Sequence, residues 1–250
     1  MPKTNFVDGS EIPELVRIIK TESEIAHLRK TCEITDTVFS EIFEFVKLGR
    51  NDVEVSQKLK ELFIEKGVMW FNDAEPLVQS GVRGSLLSTL PDKNVIRAGL
   101  VVFDMGACVE GYNCDVQRMA SIGHPSPDEE RAFNKQRELC EEAIQMIKPG
   151  LKVSDLHKFA ISKAREQGYD FARSVVGPTM WLGHGVGLDT HERPWIGPRD
   201  PTILETGMIF AFEPGFILPN FAVRLENIIL VTESGHEQLS KFPHDLVIKT

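Results

Sequence analysis

No apolar run in this sequence is long enough to cross a bilayer: the longest, GMIFAF and NIILV, fall far short of the about 20 residues a membrane helix needs. No apolar stretch behind a charged lead-in opens it, so no secretory signal is expected. Cysteine is scarce. Cys32, Cys108, Cys114 and Cys140 form no CxxC pair, which argues against a disulfide framework and leaves a cytoplasmic, reducing setting as the expectation. Positive charge is short as well: 28 Lys and Arg face 37 Asp and Glu, for a net charge of -9. That leaves no broad basic surface for phosphates and excludes nucleic acid as the main partner, so small or neutral ligands fit better. Repeats of solenoid length and low-complexity segments are also missing. Histidine is absent from the whole stretch between His27 and His124.

What is present can bury a sizeable core, since 42% of the 250 residues are hydrophobic. Thr21 with Glu24 reads as a capping box opening a long amphipathic helix (Ile25, Leu28, Cys32, Val38, Phe39, Ile42, Val46) that stops at Gly49. A second helix is predicted from about Asp52 to Gly67. A third has Ser126 as N-cap, Pro127 at its first position and Glu129 completing the box, and runs on to Lys148–Gly150. A fourth begins at Ser154 and ends at Gly168. Strand-like runs, LVVFDMGACV, NCDVQRMASI, GMIFAFEPG and AVRLENIILVT, lie between and after the helices. The order predicts an α+β protein whose antiparallel sheet collects strands from both halves of the chain. Residues 1–20 read as an extended lead-in, and 21–250 as the domain proper.

The chemistry begins in VVFDMGACVEGYNCDVQR. A turn centred between Val109 and Glu110 places Asp104 directly opposite Asp115, side chains about 5 Å apart on one face. Two like charges that close destabilise a sheet unless something binds them; two solvated strand aspartates are the alternative. Glu213 follows three apolar residues in FAFEPG, and Glu226 stands inside the apolar strand VRLENIILV, where carboxylates need a partner. An ion pair with Arg224, two residues away on the same face, accounts for Glu226 alone. WLGHGVGLDTHERPW adds His184 and His191 among glycines. Four carboxylates and one imidazole suit hard to borderline divalent ions such as Mn, Fe, Co or Zn, and carry the charge that two dications neutralise. Gly183, Gly185 and Gly187 are then expected to let the backbone crowd the metal site.

These motifs resemble, in order, those of the pita-bread metallohydrolases: methionine aminopeptidase, aminopeptidase P, prolidase and creatinase. The resemblance runs from VRIIKTESEIAHLRK to LVTESGHEQLS through FDMG, CD before VQR, GHGVGLDTHERP, GMIFAFEPG and VRLENIILVTESG, and is nearest to the prolidase and creatinase branch. It implies a curved antiparallel sheet covered by helices and a cofactor of two divalent ions on Asp104, Asp115, His184, Glu213 and Glu226. It further implies hydrolysis of a peptide or amide C–N bond in a small molecule or short peptide. His191 matches the position that hydrogen-bonds substrate or stabilises the oxyanion, Glu213 the acid or base acting on water, and Arg224 a position that holds substrate. A homodimer with no nucleic-acid or membrane partner is the expected assembly.

Three departures shape the alternatives. Where catalytic relatives carry an upstream histidine the sequence has Ser88, followed by Thr89, and a hydroxyl is no general base near neutral pH without help. Four residues before His184, where proline-specific members carry a second substrate-binding histidine, stands Met180, followed by Trp181. Only about 20 residues precede the catalytic domain, where prolidase and creatinase carry a separate domain. A non-peptide hydrolase or lyase of the same fold, acting on a small carboxylate-bearing substrate, is therefore the alternative reading. A metal-free peptide-binding module is the third, disfavoured by five intact ligand positions.

Overall fold

The computed structural model describes residues 5–68, 76–86, 89–169 and 181–249. Part of the lead-in that was expected to be extended forms a short helix, α1 (Glu11–Arg17). Glu11 and Glu14 sit in its first turn and Arg17 in its last, the placement that complements the helix dipole. It buries none of its own residues. Thr21, Asn51 and Ser126 then open α2 (Glu22–Phe45), α3 (Asp52–Glu65) and α4 (Pro127–Ile144). Each cap side chain accepts the N–H three residues on, while Glu24, Glu54 or Glu129 reaches back to the cap, so all three helices begin on complete capping boxes. α5 (Val153–Glu166) starts one residue before Ser154, with Lys152 at its cap and no side-chain capping bond. The ends are shorter than expected: α2 stops at Phe45 because Val46 has already turned to extended backbone, and α4 stops before Lys148.

Thirteen strands follow in the described residues. β1 (Leu77–Ser80), β2 (Gly99–Met105), β3 (Cys108–Val109), β4 (Tyr112–Asn113) and β5 (Val116–Ile122) precede α4. After α5 come β6 (Gly183–Gly185), β7 (Glu192–Trp195), β8 (Ile209–Phe212), β9 (Phe216–Ile217), β10 (Ala222–Val223), β11 (Asn227–Val231), β12 (His236–Gln238) and β13 (Val247–Lys249). They form two main sheets, ordered β1-β2-β5-β13 and β12-β11-β8-β6-β7. Pairing is antiparallel except where β13 returns the C-terminal segment to the first sheet, parallel to β5. AVRLENIILV, expected as one strand, is broken at 224–226: β10 pairs with β9, whereas β11 pairs with β8.

The two sheets join where the Glu226 N–H donates to the Gln117 carbonyl at 3.2 Å. Arg118 locks this seam. Its guanidinium, 1% exposed, donates to the carbonyls of Gln117, Glu226 and Phe242 and to Asn227 Oδ1, so a buried cation with no ion pair among the described residues has its donors engaged. Apolar side chains pack on both faces. Leu28, Phe39, Phe63 and Phe103 belong to one cluster with α2 and α3; Leu139, Leu156, Phe210 and Phe212 belong to another with α4 and α5. Covered on both sides, β5 and β11 are buried throughout; β11 reads as an apolar run after Asn227, whereas β5 also buries Gln117, Arg118 and Ser121. No helix among the described residues is long and apolar enough to cross a membrane.

Candidate metal centre

The first two acids come from the β2–β5 hairpin, in a different register from the one expected. Val109 pairs with Tyr112, so the turn is Glu110–Gly111, both with positive φ (52° and 85°) as a two-residue hairpin loop requires. Asp104 therefore faces Gln117, not Asp115. The register differs by two residues, which preserves the face of the sheet, and Asp115 comes to lie diagonally across from Asp104. The chain reaches this geometry through Gly106, where an added Cβ would fall 1.5 Å from the Cys114 carbonyl oxygen. No residue with a side chain fits there.

The second sheet brings the rest. His184 sits on β6, Glu213 follows β8, and Glu226 lies just before β11. His184 Nε2 is 3.6 Å from Glu213 Oε1, 3.6 Å from Glu226 Oε1 and 3.9 Å from Asp115 Oδ2. Its Nδ1 lies 3.1 Å from the Gly185 carbonyl, which assigns a proton to Nδ1 and turns Nε2 toward the acids. The glycines beside it serve a different purpose from the one expected. A Cβ on Gly183 would sit 2.2 Å from the Ala211 carbonyl oxygen and one on Gly185 2.0 Å from that of Arg193, so they admit the neighbouring strands rather than an ion.

Burial pushes the carboxyls of Asp104, Asp115, Glu213 and Glu226 above the ordinary carboxylate range. For Asp115 and Glu226 the shift is large, because neighbouring acids add repulsion to desolvation: Glu226 and Asp104 act on Asp115, and Glu213 and Asp104 on Glu226. The Arg224 charge and a hydrogen bond with Asp115 partly offset the rise at Asp104. Glu226 is fully buried, and neither of its carboxylate oxygens has a hydrogen-bond partner among the described residues. A buried carboxylate in that state needs a proton or a cation. Donor atoms of Asp104, Asp115 and Glu226 lie within 4.8 Å of one another, as do those of His184, Glu213 and Glu226. Two overlapping groups rich in oxygen, sharing Glu226, fit divalent ions.

The other expected site residues divide. His191 is exposed, its ring 4.1 Å from that of His184, and it shares a 4.8 Å donor group with Asp115 and His184 at the rim of the cluster. Arg224 approaches the cluster beside Asp104. It is buried, with Nη1 3.6 Å from Asp104 Oδ2 and Nη2 bonded to Gln79 Oε1, so its partner is the first aspartate and not Glu226. Trp181, half exposed, packs on Trp195 at 4.1 Å. Trp195 lies 6.4 Å from His184, and the two indoles border a cleft of about 300 Å³ that also takes in Arg193 and Arg199. Ser88 and Met180 lie outside the described residues.

Sequence reasoning missed Gln117. Its Nε2 is 3.2 Å from both Asp104 Oδ2 and Glu213 Oε2, tying an acid of the first sheet to one of the second. Reading Glu110–Gly111 as the turn, on the glycine's tolerance of positive φ, would have placed Gln117 opposite Asp104.

The profile of Metallopeptidase family M24 matches residues 26–233. The Xaa-Pro dipeptidase of Pyrococcus horikoshii is 33% identical over 98% of this chain and 70% of its own length. Among solved structures, an Xaa-Pro dipeptidase from Bacillus anthracis superposes with a TM-score of 0.91 at 33% identity, covering 99% of this chain and 68% of that one. A prolidase from Pyrococcus furiosus gives a TM-score of 0.88 at 32% identity, over 94% and 69%.

Proposed function

Because the chain belongs to metallopeptidase family M24, we propose that Asp104, Asp115, His184, Glu213 and Glu226 hold two divalent ions and that the protein hydrolyses the C–N bond of short Xaa-Pro peptides. The fold is the pita-bread fold, and the protein is a metal-dependent hydrolase. The observation that carries the two-ion reading is Glu226, which belongs to both donor groups and whose two buried oxygens have no hydrogen-bond partner among the described residues. Bound there, the ions supply positive charge that polarises the scissile carbonyl and makes a water acidic at neutral pH.

The chain's own residues do the rest. Glu213, 21% exposed at the open side of the cluster, takes the proton of the attacking water and passes it to the leaving amine. Gln117 holds Glu213 Oε2 and leaves Oε1 turned to the site, while Arg224 fixes Asp104 from behind. His191, at the rim, donates to the carbonyl oxygen as it gains charge. The Trp181–Trp195 cleft with Arg193 and Arg199 accepts the remainder of the peptide. A homodimer in a cytoplasmic setting completes the proposal; four unpaired, buried thiols accord with a reducing compartment, and sedimentation measures the assembly. Among Mn, Co, Fe and Zn, manganese is the ion tried first.

A panel of Xaa-Pro dipeptides, N-terminal Met peptides, creatine and small zwitterions, assayed with each metal and with chelator, tests the reading. Metal-dependent cleavage of the Xaa-Pro dipeptides is expected. Ser88 in place of the relatives' histidine favours one second reading, non-peptide chemistry on a small carboxylate-bearing compound. Turnover of such a compound without peptide cleavage would establish it.

A further inference from the structure

A second buried charge cluster lies behind the loop that carries His191. Lys20 Nζ is 2.7 Å from Glu192 Oε1, and both side chains are at most 2% exposed. Arg17 joins them, with Nη2 2.5 Å from Asp189 Oδ2 and Nε 3.3 Å from Glu192 Oε2. Burial lowers the proton affinity of Lys20, and the Glu192 charge beside it pulls the other way. The two basic residues belong to the segment before α2, more than 165 residues from the acids they hold. That segment is itself anchored, since the Lys20 N–H donates to the Gly207 carbonyl at 2.9 Å.

The loop is packed around the pair. A Cβ on Gly187 would come within 2.9 Å of Glu192 Oε1 and 3.1 Å of Lys20 Cε. From the opposite side Asn113, two residues before Asp115, bonds the loop through its backbone N–H and its side chain to the carbonyls of Gly187 and Leu188. A buried ion pair adds little net stability once desolvation is counted, but it defines geometry sharply, because leaving either charge alone is costly. What it defines here is the loop between Gly187 and Glu192, and His191 is the residue of that loop whose ring lies against His184.

We propose that Lys20 and Arg17 are positioning residues for His191: by holding Glu192 in a buried ion pair and Asp189 in a half-exposed one, the segment before α2 sets the imidazole at the rim of the metal cluster. The link to turnover rests on the proposed role of His191; the link to loop geometry does not.

The test uses Lys20→Met, Glu192→Gln, the double variant and Lys20→Arg in the full chain, with two readouts. Amide hydrogen exchange over residues 188–192 is expected to speed up by about tenfold or more in the single and double variants, with the rest of the chain unchanged. On Xaa-Pro dipeptides kcat is expected to fall about 10- to 100-fold with KM changed little, as for other residues that orient a metal-site group. Lys20→Arg, which keeps the charge, should restore part of both. The double variant leaves neither partner buried alone, so it tests the clamp even if a single variant fails to fold. Loop protection at the wild-type level in the folded double variant, or an unchanged kcat in an active enzyme, would overturn the proposal. A wild-type protein that binds metal but cleaves no peptide would count against the proposed function, and exchange alone would then decide the clamp.

Discussion

At the scale of single residues, the charge balance of the site turns on Glu226. Glu226→Gln removes the carboxylate common to both donor groups, so it is expected to lose at least one ion per chain and, with it, hydrolysis. The metal-free variant should nevertheless melt above the metal-free wild type, because it relieves a buried acid whose neighbours are also acids. Metal analysis and calorimetry on the same samples check both signs. Gln117→Leu, which frees Asp104 and Glu213 from their shared donor, should lower kcat about 10- to 100-fold with less effect on metal content. Asp104, Glu213 and Glu226 stand out in the sequence because each interrupts or follows an apolar strand, whereas Asp115 and His184 rest on the order of the motifs. Gln117 does not stand out, because an amide in a strand carries no such contrast and only the correct turn reveals its partner. Arg224 misled for a related reason: alternation along one unbroken strand pairs it with Glu226, whereas the break at 224–226 turns it to Asp104.

At the scale of elements, two of the three helices that open on capping boxes were readable at their starts to the residue, since Thr21 and Ser126 with their glutamates encode the first turn locally. Ser126→Ala is expected to cost about 1 kcal/mol in chemical denaturation without touching the site. The strand that carries His184 was not readable. Gly183–Gly185 has no β-forming side chains of its own; it is a strand because β7 and β8 close on it from both sides. Helix α1 was missed for the opposite reason, being short, unburied and held by the placement of its charges. The hairpin kink gives the sharpest prediction at this scale. Gly106→Ala drives a methyl group into the Cys114 carbonyl, so the turn next to Asp115 must shift. Destabilisation of roughly 2–4 kcal/mol and loss of metal affinity are expected together, measured by denaturant melts and metal titration.

At the scale of the molecule, each sheet contributes part of the site: Asp104 and Asp115 from one, His184, Glu213 and Glu226 from the other, with Arg118 at the seam. Metal-free protein holds four acids whose folded pKa values lie above their unfolded values. The folded state therefore binds more protons, so the stability of the metal-free form falls as pH rises from the ordinary carboxylate range toward the raised values. Metal binding requires the ionised acids, so its stabilisation grows over the same window, reaching about 2.7 kcal/mol at a hundredfold excess over Kd. Melting curves with and without metal should thus diverge as pH rises; parallel curves would contradict the assignment. The α+β pita-bread fold was legible through the order of its motifs, although the seam between the sheets was not, since it depends on contacts between residues over 100 positions apart. The two-ion centre is tested by metal content after reconstitution with Mn, Co, Fe or Zn and dialysis, with Asp104→Ala alongside. Two ions per chain are expected in the wild type and at least one fewer in the variant; a wild-type content near zero with every metal would overturn the two-ion assignment.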